Sequence, residues 1–232
     1  MRGNFTENHY LNSQLNDFVV WGATGEGIEV ISILHSYGKR VVGLVDDTYG
    51  LKSPFNDIPI FYGNEGFHLL AKSVSNIGEC GFVVAIGNPY GRERLSIANT
   101  LIEAGLTPTH LAHRSAVIDS TAQIETGSII HAGAVICARS KIGSFSIVNT
   151  RASVDHESVV GKGCEIGPGA TVCGAVDIRD YAWIGAGATV LPRIKIGMDA
   201  IVGAGAVVIE EVKDHEIVVG VPAKPIKRVS NE

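Results

Sequence analysis

Aromatic residues make up only 6% of this chain, and no apolar run approaches eighteen residues. Packing must therefore rest on aliphatic side chains and glycine, and no segment reads as a membrane span. There is no basic run for a phosphate backbone to follow, and the net charge is -5, so nucleic-acid binding is not expected. The polar start, Met1 to Asn16, has no apolar signal-peptide core. The four cysteines, Cys80, Cys137, Cys164 and Cys173, show no CxxC spacing and read as packing residues rather than metal or disulfide chemistry. Their usage agrees with a reducing compartment, so a cytoplasmic location is expected. The 232 residues suit one or two domains.

What the chain does have is a repeat. Residues 116–211 divide into sixteen consecutive six-residue units without an insertion, and the third position of each is Ile or Val, from Ile118 to Val208. First positions are mostly small, and Gly is common at the fourth and sixth. A period of six matches neither an amphipathic helix nor a half-buried strand. It is the signature of a parallel β-helix, each unit forming one face of a coil. With three faces per coil, residues eighteen apart stack, so Val148, Ile166, Ile184 and Val202 are expected in one of three core ladders. Each buried Ile or Val is worth about 1.5 to 3 kcal/mol. A β-sandwich has no reason to keep so strict a period.

Upstream, the pattern is strand, Gly-rich turn, helix, strand. DFVVWG is a short apolar strand, GATGEG supplies Gly22, Gly25 and Gly27, and IEVISILHSYG reads as a helix with Ile28, Ile31 and Leu34 on one side. RVVGLVDD then ends in Asp46 and Asp47, completing a βαβ unit. Such a turn aims backbone N–H groups and a helix N-terminus at an anion, and carboxylates at the second strand's end commonly bind a nucleoside. The spacing is GxxGxG rather than GxGxxG, which gives NAD little support; a purely structural turn is the alternative. A helix near Gly66 to Ser75 follows, then the strand GFVVAIG, ending in Gly87 and Asn88. Pro89 to Glu103 reads as a helix carrying Arg92 and Arg94, with a solvated charge expected for Arg94 more than for Arg92. His110 and His113 lie in a linker and receive no role. After the last unit, residues 212–232 are expected to leave the coil, with Pro222 and Pro225 breaking regular structure and Lys224, Lys227 and Arg228 adding positive charge.

One more group stands out on the coil: Asp155, His156 and Glu157 in sequence. Histidine suits proton transfer near neutral pH, and a neighbouring carboxylate orients it and raises its basicity. An inert surface histidine is the alternative.

The hexapeptide coil, the VGVPAK segment and N-T-x-x-x-V-D-H-E resemble the left-handed β-helix acyltransferases. With G-A-T-G-E-G, V-D-D and A-I-G-N, the chain is similar to the subfamily that N-acetylates nucleotide-linked amino sugars in bacterial surface-glycan assembly, and to relatives that O-acetylate sialic acid. The resemblance runs from Asp17 to Arg228. It implies an α/β plus all-β architecture, a small Rossmann-like domain followed by a left-handed parallel β-helix. The division expected is a loose tail (1–16), a nucleotide-sugar-binding domain (17–112), the β-helix acetyltransferase domain (113–211) and a C-terminal tail (212–232).

The resemblance also implies a homotrimer with an active site in each cleft between coils, acetyl-CoA as donor along the seam, and no metal. His156 is then the general base and Glu157 its orienting carboxylate. Thr24, Gly25, Glu26, Asp46, Asp47, Gly87 and Asn88 hold the nucleotide, and Gly174, Ala186 and Ala204 wall the cofactor. The chain departs from the family twice: Glu26 replaces the histidine of a G-H-G loop, and Glu165 replaces a second histidine, nine residues after His156, that contacts the cofactor. The mechanism implied is direct transfer in a ternary complex, assisted by His156, with a coil N–H near Gly174 stabilising the oxyanion. The acceptor expected is a nucleotide-linked 4-amino-4,6-dideoxyhexose. The alternatives are O-acetylation of sialic acid or a related sugar hydroxyl, and a non-catalytic or carbonic-anhydrase-like β-helix. The last needs about three well-placed histidines, whereas His131 and His156 occupy different unit positions and cannot stack.

Overall fold

The structure, a computed structural model, describes residue 11, residues 14–87 and residues 89–228. Most of the expected N-terminal tail and residues 229–232 lie outside the described residues. Leu11 is nevertheless buried and bridges the backbone of Leu111, so this part of the tail is tied to the coil.

The first domain is a five-stranded, all-parallel sheet flanked by helices. In chain order it comprises β1 (Asp17–Trp21), α1 (Gly25–Ser36), β2 (Arg40–Asp46), β3 (Ile60–Tyr62), α2 (Gly63–Ser73), β4 (Cys80–Val84), α3 (Gly91–Glu103) and β5 (Thr107–Pro108). The spatial order is β3-β2-β1-β4-β5, which puts the ends of β1 and β4 side by side beneath the Gly-rich turn. α1 starts at Gly25, within the glycine motif. Its buried face is Gly27, Val30, Ile31, Ile33 and Leu34, while Ile28 is 41% exposed, contrary to the expected Ile28 stripe. The cause is the tight approach at the helix start: a Cβ on Gly27 would lie 2.1 Å from the Gly22 carbonyl oxygen, so Gly27 faces inward and Ile28 is turned out.

The second domain is a parallel β-helix of two-residue strands on three faces. The first face runs from Val117–Ile118 to Val207–Val208, the second from Gln123–Ile124 to Lys195–Ile196, and the third begins at Leu111–Ala112. Strands eighteen residues apart pair in register, so Val148, Ile166, Ile184 and Val202 form the expected ladder on the third face. Third-position side chains are buried throughout, except for half-buried Ile124. First positions point inward beside them: Ala fits, and Ser128, Ser140, Ser146 and Ser158 each give a hydroxyl hydrogen bond to a corner carbonyl fifteen residues on. The sixth position turns the corner with positive φ in fourteen of the sixteen units, which explains why Gly recurs there; eight of the fourteen are not glycine.

The C-terminal segment does not leave the coil at once. Val212 bridges Ile196, and Glu216–Val219 joins the third face beside Ile201 and Val202 before Lys224–Arg228 turns back antiparallel to it. The expectation failed because the six-residue period lapses after Glu211 while the apolar residues Ile217 and Val218 still fit the ladder.

The two domains meet on the third face. Outward-facing Leu111, Ile129 and Ile147 stack there and are buried in one cluster with Val30, Ile31 and Leu34 of α1. α3 covers the corner between the second and third faces, where Phe145 stacks on Phe82 of β4 with ring centroids 6.4 Å apart. Among the described residues, no helix is long and apolar enough to cross a membrane.

Candidate active site

The glycines of the first loop divide by function. Gly22 has φ +111° and meets the Ala85 carbonyl so closely that a Cβ would lie 2.1 Å from it, and Gly27 is equally confined. Both are required by the fold. Gly25 has no atom within 4 Å of a would-be Cβ, so it leaves open space at the start of α1, beside exposed Thr24. Asp46 holds this loop from β2: its carboxylate accepts hydrogen bonds from the Ala23 amide at 2.9 Å and the Thr48 amide at 2.9 Å. Asp47 is exposed. Gly87 follows β4 on the neighbouring loop; Asn88 lies outside the described residues.

Glu26 turns to the coil. Its Oε1 is 2.7 Å from Nε2 of His131, which is 2% exposed. Burial alone would push His131 down, but the hydrogen bond and charge of Glu26, with Glu29 and Glu165, outweigh it and hold the imidazole above its ordinary pKa. Two further coil residues share this corner. Buried Glu165 receives a 3.4 Å hydrogen bond from Asn149 Nδ2, and a Cβ on Gly87 would lie 3.6 Å from Glu165 Oε2. Glu165 thus sits under the Gly87 loop, beside the candidate nucleotide residues and two residues before Gly167, where a Cβ would lie 2.8 Å from the amide nitrogen of Ala186 one coil above. Asn149 opens the N-T-x-x-x-V-D-H-E motif, and the one sign of its place here is that it lies one coil above His131, eighteen residues on.

Arg94 corrects the expectation of a solvated charge. It is 1% exposed and donates to the carbonyls of Ile86, Phe145, Gly163 and Cys164. Burial pushes its pKa down, opposed first by Glu165. Arg92 is the more exposed of the two, paired with Asp199 at 2.6 Å and stacked 4.1 Å from the Tyr181 ring centroid.

His156 lies elsewhere, at the corner between the first and second faces, and its side chain is 59% exposed. Its Nδ1 is 3.5 Å from Glu157 Oε2, and Glu157 also reaches Arg139 one coil below, at 3.3 Å. The backbone amide of His156 donates to Asp155 Oδ1 at 2.7 Å, which fixes the turn. Gly174, one coil above, leaves room for the ring: a Cβ there would fall 2.5 Å from Nε2. Ala186 and Ala204 stack at the corner between the third and first faces. Within one chain they do not meet His156.

Cys164 is fully buried, and burial pushes its thiol up to about 12, a poor nucleophile. Among the described residues no group of three or more His, Cys, Asp or Glu is placed to hold a metal ion. A cavity of about 920 Å³ opens at the amino ends of β1, β2 and β4, lined by Asp17, Arg40 and Cys80. It is at the opposite end of the sheet from the Gly-rich loop, so cavity size does not mark the candidate residues.

A hexapeptide coil with a Rossmann-like domain fixed to one face defines the class, a hexapeptide-repeat transferase. Comparisons agree. Residues 17–98 match the PglD N-terminal domain, and residues 175–210 match the bacterial transferase hexapeptide (six repeats). No curated protein matches the chain. Among solved structures, PerB from Caulobacter crescentus, in complex with CoA and GDP-perosamine, is 31% identical, with a TM-score of 0.82 over 91% of this chain and 97% of that one. The acetyltransferase domain of PglB from Neisseria gonorrhoeae, in complex with acetyl coenzyme A, is 30% identical, with a TM-score of 0.80 over 91% of this chain and all of the other. WeeI from Acinetobacter baumannii is 26% identical, with a TM-score of 0.81 over 90% and 99%. The chain belongs to the left-handed β-helix, hexapeptide-repeat sugar acetyltransferases.

Proposed function

We propose that the protein transfers the acetyl group of acetyl-CoA to the amine of a nucleotide-linked amino sugar, such as a 4-amino-4,6-dideoxyhexose, in bacterial surface-glycan synthesis in the cytoplasm. The observation that carries this reading is the His156 ring, exposed at a coil corner with Glu157 Oε2 3.5 Å from Nδ1 and Nε2 directed along the Gly174 wall. The acceptor class is supported by PerB, which was crystallised with CoA and GDP-perosamine.

The amine attacks the thioester carbonyl, forming a C–N bond. His156 takes the proton released, and Glu157 holds the imidazole in the tautomer that leaves Nε2 as acceptor. A backbone N–H near Gly174 stabilises the tetrahedral oxyanion. As the C–S bond breaks, His156 returns its proton to the CoA thiolate. No acyl-enzyme forms.

The candidate residues on the β-helix occupy two of its corners, flanking the first face. Outward positions on that face, Val117, Val135, Ser153, Thr171, Thr189 and Val207, carry no charge, whereas the second face has Lys141, Asp177 and Lys195 and the third is covered by the α/β domain at Leu111, Ile129 and Ile147. Three copies packed on their first faces bring each His156 to the neighbour's Ala186, Ala204 and nucleotide loops. This arrangement makes the site a shared one in a homotrimer. Mixed trimers test it: His156→Ala and Gly25→Trp chains, each inactive alone, should regain part of wild-type turnover when refolded together. No recovery in verified hybrid trimers would contradict a shared site.

A further inference from the structure

Arg94 is a buried cation on the α/β domain, and its hydrogen-bond partners among the described residues include carbonyls from three separate segments. Nη1 donates to the Ile86 carbonyl at 2.8 Å, Nε to Phe145 at 3.0 Å, and Nη2 to Gly163 at 2.8 Å and Cys164 at 3.1 Å. Burying a guanidinium is costly unless its donors are satisfied, and only the planar fork of arginine reaches several acceptors at once. Ile86 precedes Gly87 on the candidate nucleotide loop, and Cys164 precedes Glu165 on the coil. Arg94 therefore grips the residue before Gly87 on the loop and the residue before Glu165 on the coil beneath it. The start of α3 reinforces the grip: a Cβ on Gly91 would lie 2.1 Å from the Gly163 carbonyl oxygen, so the helix rests directly on the coil.

We propose that Arg94 is a positioning residue for acetyl transfer, setting the distance between the nucleotide-holding loop and the coil beneath it at Glu165. The inference rests on the nucleotide-loop reading above. It differs from a stabilising role in what it affects. A bond that only joins the domains changes the amount of folded protein. A bond that places the loop changes how nucleotide and sugar are held in the protein that remains folded, and an error of about 1 Å in placement can cost 100-fold in rate.

The test compares wild type, Arg94→Lys, Arg94→Gln and, as a control, Tyr37→Phe. Tyr37 also joins the domains, through a 2.9 Å hydrogen bond to the Ala112 carbonyl, but far from the loop. Readouts are kcat per folded chain, the KM values for acetyl-CoA and sugar nucleotide, and the Kd for GDP, UDP and dTDP. Both Arg94 variants are expected to lose roughly 10- to 100-fold in kcat and to bind the preferred nucleotide more weakly, with the acetyl-CoA KM unchanged; Tyr37→Phe should match wild type in all four. Wild-type kinetics in folded Arg94 variants, or the same defect in Tyr37→Phe, would overturn the proposal. If wild type binds a nucleotide but acetylates no amino sugar, the proposed function fails while the nucleotide Kd still tests Arg94; if it binds none, both fail. Should the Arg94 variants not fold, hydrogen exchange on wild type decides: nucleotide should protect residues 85–87 and 163–165 together, and protection of the loop alone would overturn the proposal.

Discussion

The His156 imidazole lies against the α-carbon of Gly174, one coil above it, so closely that a methyl group there would fall 2.5 Å from Nε2. Gly174 does not have positive φ, so alanine is compatible with its backbone and the conflict falls on the ring. Gly174→Ala is expected to leave the coil folded, displace the imidazole from its carboxylate, and lower kcat by roughly 10- to 100-fold. Unchanged kcat with a normal thermal transition would remove the ring from the reaction path.

The first-loop glycines separate fold from binding. Gly22→Ala places a side chain at φ +111° and 2.1 Å from the Ala85 carbonyl, and should lower stability by about 2 kcal/mol or more. Gly25→Ala meets nothing within 4 Å, so the Tm should stay within a few degrees while the KM for the sugar nucleotide rises several-fold. Thermal denaturation and steady-state kinetics on the pair check this; an unchanged KM in Gly25→Ala would mean the open side of Gly25 faces no ligand.

The coil was legible because its period repeats: one rule, Ile or Val at the third position of every six-residue unit, specifies a ladder that the structure reproduces. The β-helix corners were legible only in part, since Arg139, Glu157 and Tyr181 turn with positive φ as the glycines do. Residues at the junction were the least legible. The environment of Arg94 comes from carbonyls as much as seventy residues away, and Glu165 occupies an outward strand position that is solvated on any coil without a docked domain. His131 and Glu26 are 105 residues apart, and no local pattern pairs them. The His156–Glu157 pairing, in contrast, is legible because the two residues are adjacent in the chain.

The Glu26–His131 pair gives stability a pH dependence. The folded imidazole holds its proton more tightly than the unfolded one, so the contribution is complete below about pH 6.5 and is lost as pH rises through the raised folded value. A buried charge-assisted hydrogen bond of this kind is worth about 1.5 to 3 kcal/mol. The Tm gap between wild type and Glu26→Gln should therefore be widest near about pH 6 and shrink toward about pH 9. A gap that stays flat or widens with pH would show that the pair does not hold a proton on folding.

The most direct test of His156 as the base of an amino-sugar acetyltransferase is CoA-thiol release from acetyl-CoA against UDP-, dTDP- and GDP-linked 4-amino-4,6-dideoxy sugars, with free sialic acid alongside. The account predicts release with one amino-sugar nucleotide, lowered by about 100- to 10,000-fold in a folded, trimeric His156→Ala. Activity of that variant within a few-fold of wild type, or release with sialic acid alone, would contradict it.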